Sequence, residues 1–159
     1  LTRTWPGLAV IAFLTLLSGA EAQEASRNAQ WFLSPPRGGG SAIASFRAWD
    51  SSATVFVGRC GVGVPELVLH YLPDADYIKV NDIGLSRRGH EIMRPATIDT
   101  RYTGKRAFVA RFPVTPELLD LLKPGDEELD ILADNEMEEP WHVGSAESLY
   151  RVAASCKWL

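Results

Sequence analysis

Residues 106–112 read Arg-Ala-Phe-Val-Ala-Arg-Phe, with Pro113 next. Side chains alternate along a strand with a period of two, so Ala107, Val109 and Arg111 share one face and Phe108, Ala110 and Phe112 the other. A strand with one apolar face needs a second layer to cover it. The chain supplies a helix directly downstream. Thr115 can cap it, Pro116 suits the first turn, and Glu117 lies near the positive helix end. Leu118, Leu119, Leu121 and Leu122 form its apolar stripe, and Lys123-Pro124-Gly125 stops it. Further strands are expected over residues 128–132 and, as the last element, over residues 148–154.

Upstream, residues 54–60 (TVFVGRC) are β-branched and strand-like, and residues 66–72 (ELVLHYL) form another such run before Pro73-Asp74. Within residues 41–49, Ile43, Ser45, Arg47 and Trp49 can share one face and Ala44, Phe46 and Ala48 the other. Residues 77–80 alternate and stop at Asn81-Asp82; Ile92 and Met93 follow a turn rich in glycine and charge. Long helices do not alternate with these strands, which disfavours a wound parallel sheet. About seven short strands fit an antiparallel β-sandwich or flattened barrel with one short late helix. The expected fold class is therefore mainly β, preceded by an N-terminal hydrophobic helix.

That N-terminal segment carries the strongest local signal. Arg3 precedes the apolar run LAVIAFLTLL at residues 8–17, and Ala20-Glu21-Ala22 before Gln23 has the small-x-small form of a signal-peptidase site. Residues 1–22 read as a signal peptide or a retained transmembrane anchor. An anchor would use Trp5, Leu8, Val10, Ile11, Phe13, Leu14, Leu16 and Leu17, with residues 5–20 in the bilayer if uncleaved. Residues 23–40 read as an extended polar linker rich in Pro and Gly, and residues 41–159 as the extracytoplasmic β domain. The triple glycine at 38–40 lacks the Lys-Ser/Thr ending of a phosphate loop and reads as a turn.

Cys60 and Cys156 are the only cysteines. Outside the cytoplasm they can form one bridge; the alternative is two buried free thiols. Closing a loop of about 100 residues is worth up to about 4.7 kcal/mol in the chain-entropy model. Their spacing excludes a CxxC redox centre.

Cys60 after a hydrophobic strand, the run from Phe108 to Pro113, the helix PELLDLL, the acidic strand after it and the ending Cys156-Lys157-Trp158 resemble, in that order, a family of small exported β-sandwich proteins. One branch is the type VI secretion-associated VasI-like proteins, and another the invasion-associated locus B proteins. The resemblance spans roughly residues 45–159 and implies a non-enzymatic accessory domain with one disulfide. The loop Arg87-Arg88-Gly89-His90 and the acidic stretch after Gly125 have no counterpart in the shared pattern. The architecture also resembles accessory subunits at the periplasmic face of bacterial photosynthetic or respiratory complexes, by analogy alone.

The 159 residues carry a net charge of -4, which argues against nucleic acid as a partner. A hydrophobic content of 46% is too high for a disordered chain. Charge is unevenly placed: the segment from Lys79 to Arg111 is mostly basic, and that from Asp126 to Glu139 carries no basic residue. The two segments either face each other, form docking surfaces, or keep the surface solvated. Candidate interface residues are Trp31, Phe32, Arg87, Arg88, Arg94, Asp126, Glu127, Glu136 and Glu138. Trp49, Trp141 and Trp158 are expected to pack inside. His70, His90 and His142 show no metal-binding spacing, no nucleophile elbow is present, and no catalytic residue, cofactor or metal is expected.

The leading expectation is a non-enzymatic accessory subunit, docked on other subunits of a membrane complex and held in the bacterial inner membrane by one N-terminal helix, its domain in the periplasm. The alternatives are a soluble periplasmic binding or inhibitor module and, last, a small periplasmic enzyme, which a polar cleft joining histidine and carboxylate would favour.

Overall fold

The computed structural model describes residues 30–36, 38, 40–47, 54–73, 78–100, 106–134 and 140–156. These form β1 (Gln30–Ser34), β2 (Ile43–Arg47), β3 (Thr54–Cys60), β4 (Glu66–Tyr71), β5 (Asp82–Arg87), β6 (His90–Pro95), β7 (Thr97–Asp99), β8 (Ala107–Pro113), α1 (Pro116–Leu122), β9 (Asp130–Ala133), β10 (Trp141–His142) and α2 (Glu147–Ser155). Six strands form one sheet in the order β1-β2-β3-β4-β8-β7, and four form a second in the order β10-β9-β5-β6. The pairings are antiparallel. The fold is thus mainly β, with two sheets and two helices.

The sheets meet at both sides. Only Ala96 separates β6, an edge of the smaller sheet, from β7, an edge of the larger. Its backbone N–H donates to Asn81 O at 2.7 Å, which ties the crossing to the start of β5. On the other side, Trp31 Nε1 of β1 donates to Val143 O, just past β10, at 2.8 Å.

Register explains the core. Trp31 pairs with Phe46, Phe46 with Phe56, Phe56 with Tyr71 and Tyr71 with Phe108, so one aromatic row crosses five strands. Successive ring centroids from Trp31 to Tyr71 lie 5.3, 6.1 and 5.1 Å apart, within the range of favourable aromatic pairs. Trp141 adds an edge-on contact to Phe56 at 5.7 Å. Helix α2 lies against this face, with Leu149, Val152 and Ala153 buried. Gly58 permits the approach, because a Cβ there would collide with Leu149 Cδ1.

Several expectations hold at residue level. Phe108, Ala110 and Phe112 join the core while Ala107, Val109 and Arg111 take the other face of β8. Thr115 Oγ1 accepts from Leu118 N at 3.2 Å and caps α1.

Others are corrected. The expected last strand at 148–154 is helix α2, so the described residues hold two late helices and not one. Leu149, Val152, Ala153 and Cys156 recur at helical spacing and are all buried. The expected stop at Asn81-Asp82 is the entrance to β5, while residues 78–80 are not strand. Gly84 masks β5 in the sequence, yet the strand needs it, since Met93 Sδ of β6 fills the place of a Cβ. Gln30–Ser34, within the segment read as linker, pairs along its length with β2.

The anchored-subunit expectation is also corrected. No helix among the described residues is long and apolar enough to cross a membrane. The expectation of a single transmembrane helix holding the protein in the inner membrane is withdrawn on that finding. Residues 1–22, with Trp5, Leu8, Val10, Ile11, Phe13, Leu14, Leu16 and Leu17, lie outside the described residues.

Candidate binding cleft at the β5–β6 hairpin

Strands β5 and β6 are joined by Arg88 and Gly89, with φ of 56° and 75°. Two left-handed residues in a two-residue connection match the right-handed twist of the flanking strands. Gly89 adopts this backbone freely; Arg88 does so at a cost of about 1–2 kcal/mol.

The alternation that sends Ile83 and Leu85 into the core also sends Arg87 inward, where it is only 7% exposed. Arg87 Nη1 donates to Lys123 O at the end of α1, and Nη2 to Ser145 O at 3.2 Å in the turn before α2. One guanidinium therefore pins the smaller sheet to both helix-bearing segments. Its Nε is buried without a hydrogen-bond partner. Burial, reinforced by the Arg88 cation, lowers the Arg87 pKa, while Glu127 opposes the shift. Arginine nevertheless stays charged, and no carboxylate forms an ion pair with Arg87 among the described residues.

Beside Arg87 opens a cleft of about 480 Å³, within the range of small-molecule sites. The hairpin gives it Arg88, His90 and Ile92; α1 and the loop after it give Glu117, Asp120, Leu121, Lys123 and Glu127. Arg88 Nε meets Glu127 Oε2 at 2.7 Å, joining the hairpin tip to that loop. The basic and acidic segments of the sequence do face each other at this point. Glu117, Asp120, His90 and Lys123 line the cleft with no side-chain hydrogen bond or ion pair among the described residues.

The remaining candidates scatter. Cys60 and Cys156 form a disulfide, with Cα atoms 5.2 Å apart, that fastens the end of β3 to the end of α2. Trp31 is half-buried in the aromatic row, and Phe32 is 42% exposed beneath the Arg47 guanidinium, 5.0 Å from its ring centre. Arg94 Nη1 turns back to Met93 O at 2.9 Å. Asp126 is exposed beside the cleft loop without lining it. Trp141 is half-buried; Trp49, Trp158, Glu136 and Glu138 lie outside the described residues.

Sequence reading missed Glu117, Asp120 and Lys123 as members of a site. Their spacing of three along the polar side of α1 was the available signal. The histidines do not converge. His70 is buried in β4, His90 lies on the hairpin, and His142 Nδ1 sits 2.6 Å from Asp130 Oδ1 at the surface. No three metal-ligating side chains cluster among the described residues. His90 does share the cleft with carboxylates, but it makes no hydrogen bond to them.

A shallower depression of about 240 Å³ lies on the outer face of the larger sheet, bordered by Thr97, Asp99, Val109 and Arg111. Nearby, Arg59 Nη2 is 3.4 Å from His70 Nε2. A guanidinium only donates, so the ring nitrogen accepts. Burial first, then Arg59, lower the His70 pKa below 6.5 and hold the ring neutral.

No family model, no curated protein and no solved structure matches the chain.

Proposed function

We propose that the protein is a non-enzymatic extracytoplasmic binding module whose ligand seat is the cleft between the β5–β6 hairpin and α1. The observation that carries this reading is Arg87: a buried cation at the cleft wall with carbonyl partners and, among the described residues, no ion-paired carboxylate. A buried charge is costly unless paired, and an occupant of the cleft would supply the pairing. Perturbed ionisable groups beside a cavity mark functional sites. The disulfide supports an oxidising compartment. The resemblance to exported secretion-associated and locus B-like β-sandwich proteins, and the reading of the two sheets as faces of one flattened barrel, agree with a small accessory domain of this kind.

The cleft brings His90 and carboxylates together, with no hydrogen bond between them among the described residues. The binding reading rests on Arg87 and not on that absence.

The test is a methyl-resolved NMR screen of the protein against small charged and neutral fragments. The Ile92 and Leu121 methyl signals should move for a subset of fragments and saturate. A screen in which no fragment moves these signals would overturn the reading.

A further inference from the structure

We propose that the cleft takes a small amphoteric ligand, carrying a carboxylate and an ammonium on an aliphatic frame, as a free amino acid or a dipeptide does. This inference rests on the reading of the cleft as a ligand seat and adds the chemistry of its occupant.

The cleft is lined by groups of both signs. The hairpin side offers Arg87, a buried cation with no ion-paired carboxylate among the described residues, and His90; Lys123, at the end of α1, adds a second cation with no side-chain partner among the described residues. The α1 side offers Glu117 and Asp120, one turn apart and both without side-chain partners. Ile92 and Leu121 contribute apolar surface to the same cleft. The Arg88–Glu127 pair is already satisfied and contributes no free charge of either sign. An anion alone would meet Arg87 but would also face two carboxylates. A cation alone would meet those carboxylates but leave Arg87 as it is. Only a ligand bearing both charges meets the cations and the carboxylates of the cleft together, and an aliphatic frame removes the Ile92 and Leu121 surface from water.

The test uses the intact oxidised protein and four probes: L-leucine, L-leucyl-L-leucine, N-acetyl-L-leucine, which lacks the ammonium, and L-leucinamide, which lacks the carboxylate. Binding is read from the Ile92 and Leu121 methyl signals. L-leucine or the dipeptide should bind, and each singly charged analogue should bind at least about tenfold more weakly, as expected for a lost charge-assisted hydrogen bond. Which of the two zwitterions binds more tightly assigns the length of the occupant. The double variant Glu117→Gln/Asp120→Asn changes two exposed side chains and should weaken the zwitterion while leaving N-acetyl-L-leucine unaffected or tighter.

A singly charged analogue that binds as tightly as the zwitterions, or a double variant with unchanged zwitterion affinity, would overturn the amphoteric ligand and leave the cleft a ligand seat. Absence of binding by either zwitterion would overturn it as well. If the broader fragment screen also leaves the two methyl signals unmoved, the reading of the cleft itself falls.

Discussion

Arg88 Nε lies 2.7 Å from Glu127 Oε2, so the tip of the β5–β6 hairpin is joined to the loop that follows α1. Both side chains are more than half exposed, at 62% and 52%. An exposed pair of this kind contributes about 0–1 kcal/mol. Its role is to border the cleft more than to hold the fold.

The left-handed backbone at Arg88 makes Arg88→Asn informative. Asn-Gly is the preferred pair for this turn. The substitution removes backbone strain of about 1–2 kcal/mol and a surface pair of smaller worth. Urea denaturation should show a gain of roughly 0.5–1 kcal/mol. A loss of stability would mean that the pair with Glu127 outweighs the backbone strain.

Gly58→Ala tests the seat of α2 on the larger sheet. The added Cβ would collide with the buried Leu149 side chain. Overpacking of this kind costs about 1–3 kcal/mol. In Gly58→Ala/Leu149→Ala the two costs should add to less than their sum, because each change relieves the other. Strict additivity in thermal or urea unfolding would show that α2 does not press on β3 at this point.

The Cys60–Cys156 bridge closes a sequence separation of 96 residues. Such a loop is worth up to about 4.7 kcal/mol by chain entropy, and removal of a native bridge typically costs about 2–5 kcal/mol. Cys60→Ser/Cys156→Ser should lower the unfolding free energy by an amount in that range. An unchanged denaturation midpoint would contradict a stabilising bridge.

His70 gives a pH dependence of defined sign. Its folded pKa lies below the unfolded value of 6.5. Between the two, the unfolded chain binds the extra proton, so stability falls as pH drops from about 6.5 toward the folded pKa and is level below it. His70→Gln should flatten this part of the profile. A wild-type stability that rises on acidification through that window would reverse the assignment.

Much of the larger sheet was legible in the sequence because its strands have one apolar face. In residues 106–112 the core positions fall where period-two alternation puts them, and residues 54–60 are a strand as their β-branched composition implied. Helix α1 was legible from Thr115 and Pro116, which act through local hydrogen bonding and a fixed φ. Strand β5 was not, because Gly84 answers to Met93 across the sheet, a contact invisible from local composition. Helix α2 was misread as a strand because Tyr150, Val152 and Ala154 alternate by two while the burial follows Leu149, Val152, Ala153 and Cys156. The charge asymmetry pointed to Arg87, Arg88 and Glu127. It could not show that Arg87 turns inward, which depends on the register of β5 against β6 and β9.

The most direct test of the account is a crystallographic fragment screen on the oxidised protein. Bound fragments should concentrate in the cleft beside Arg87, in contact with Ile92 or Leu121, with their charged groups facing the side chains of opposite sign. Fragments that bind elsewhere while this cleft stays empty would contradict it.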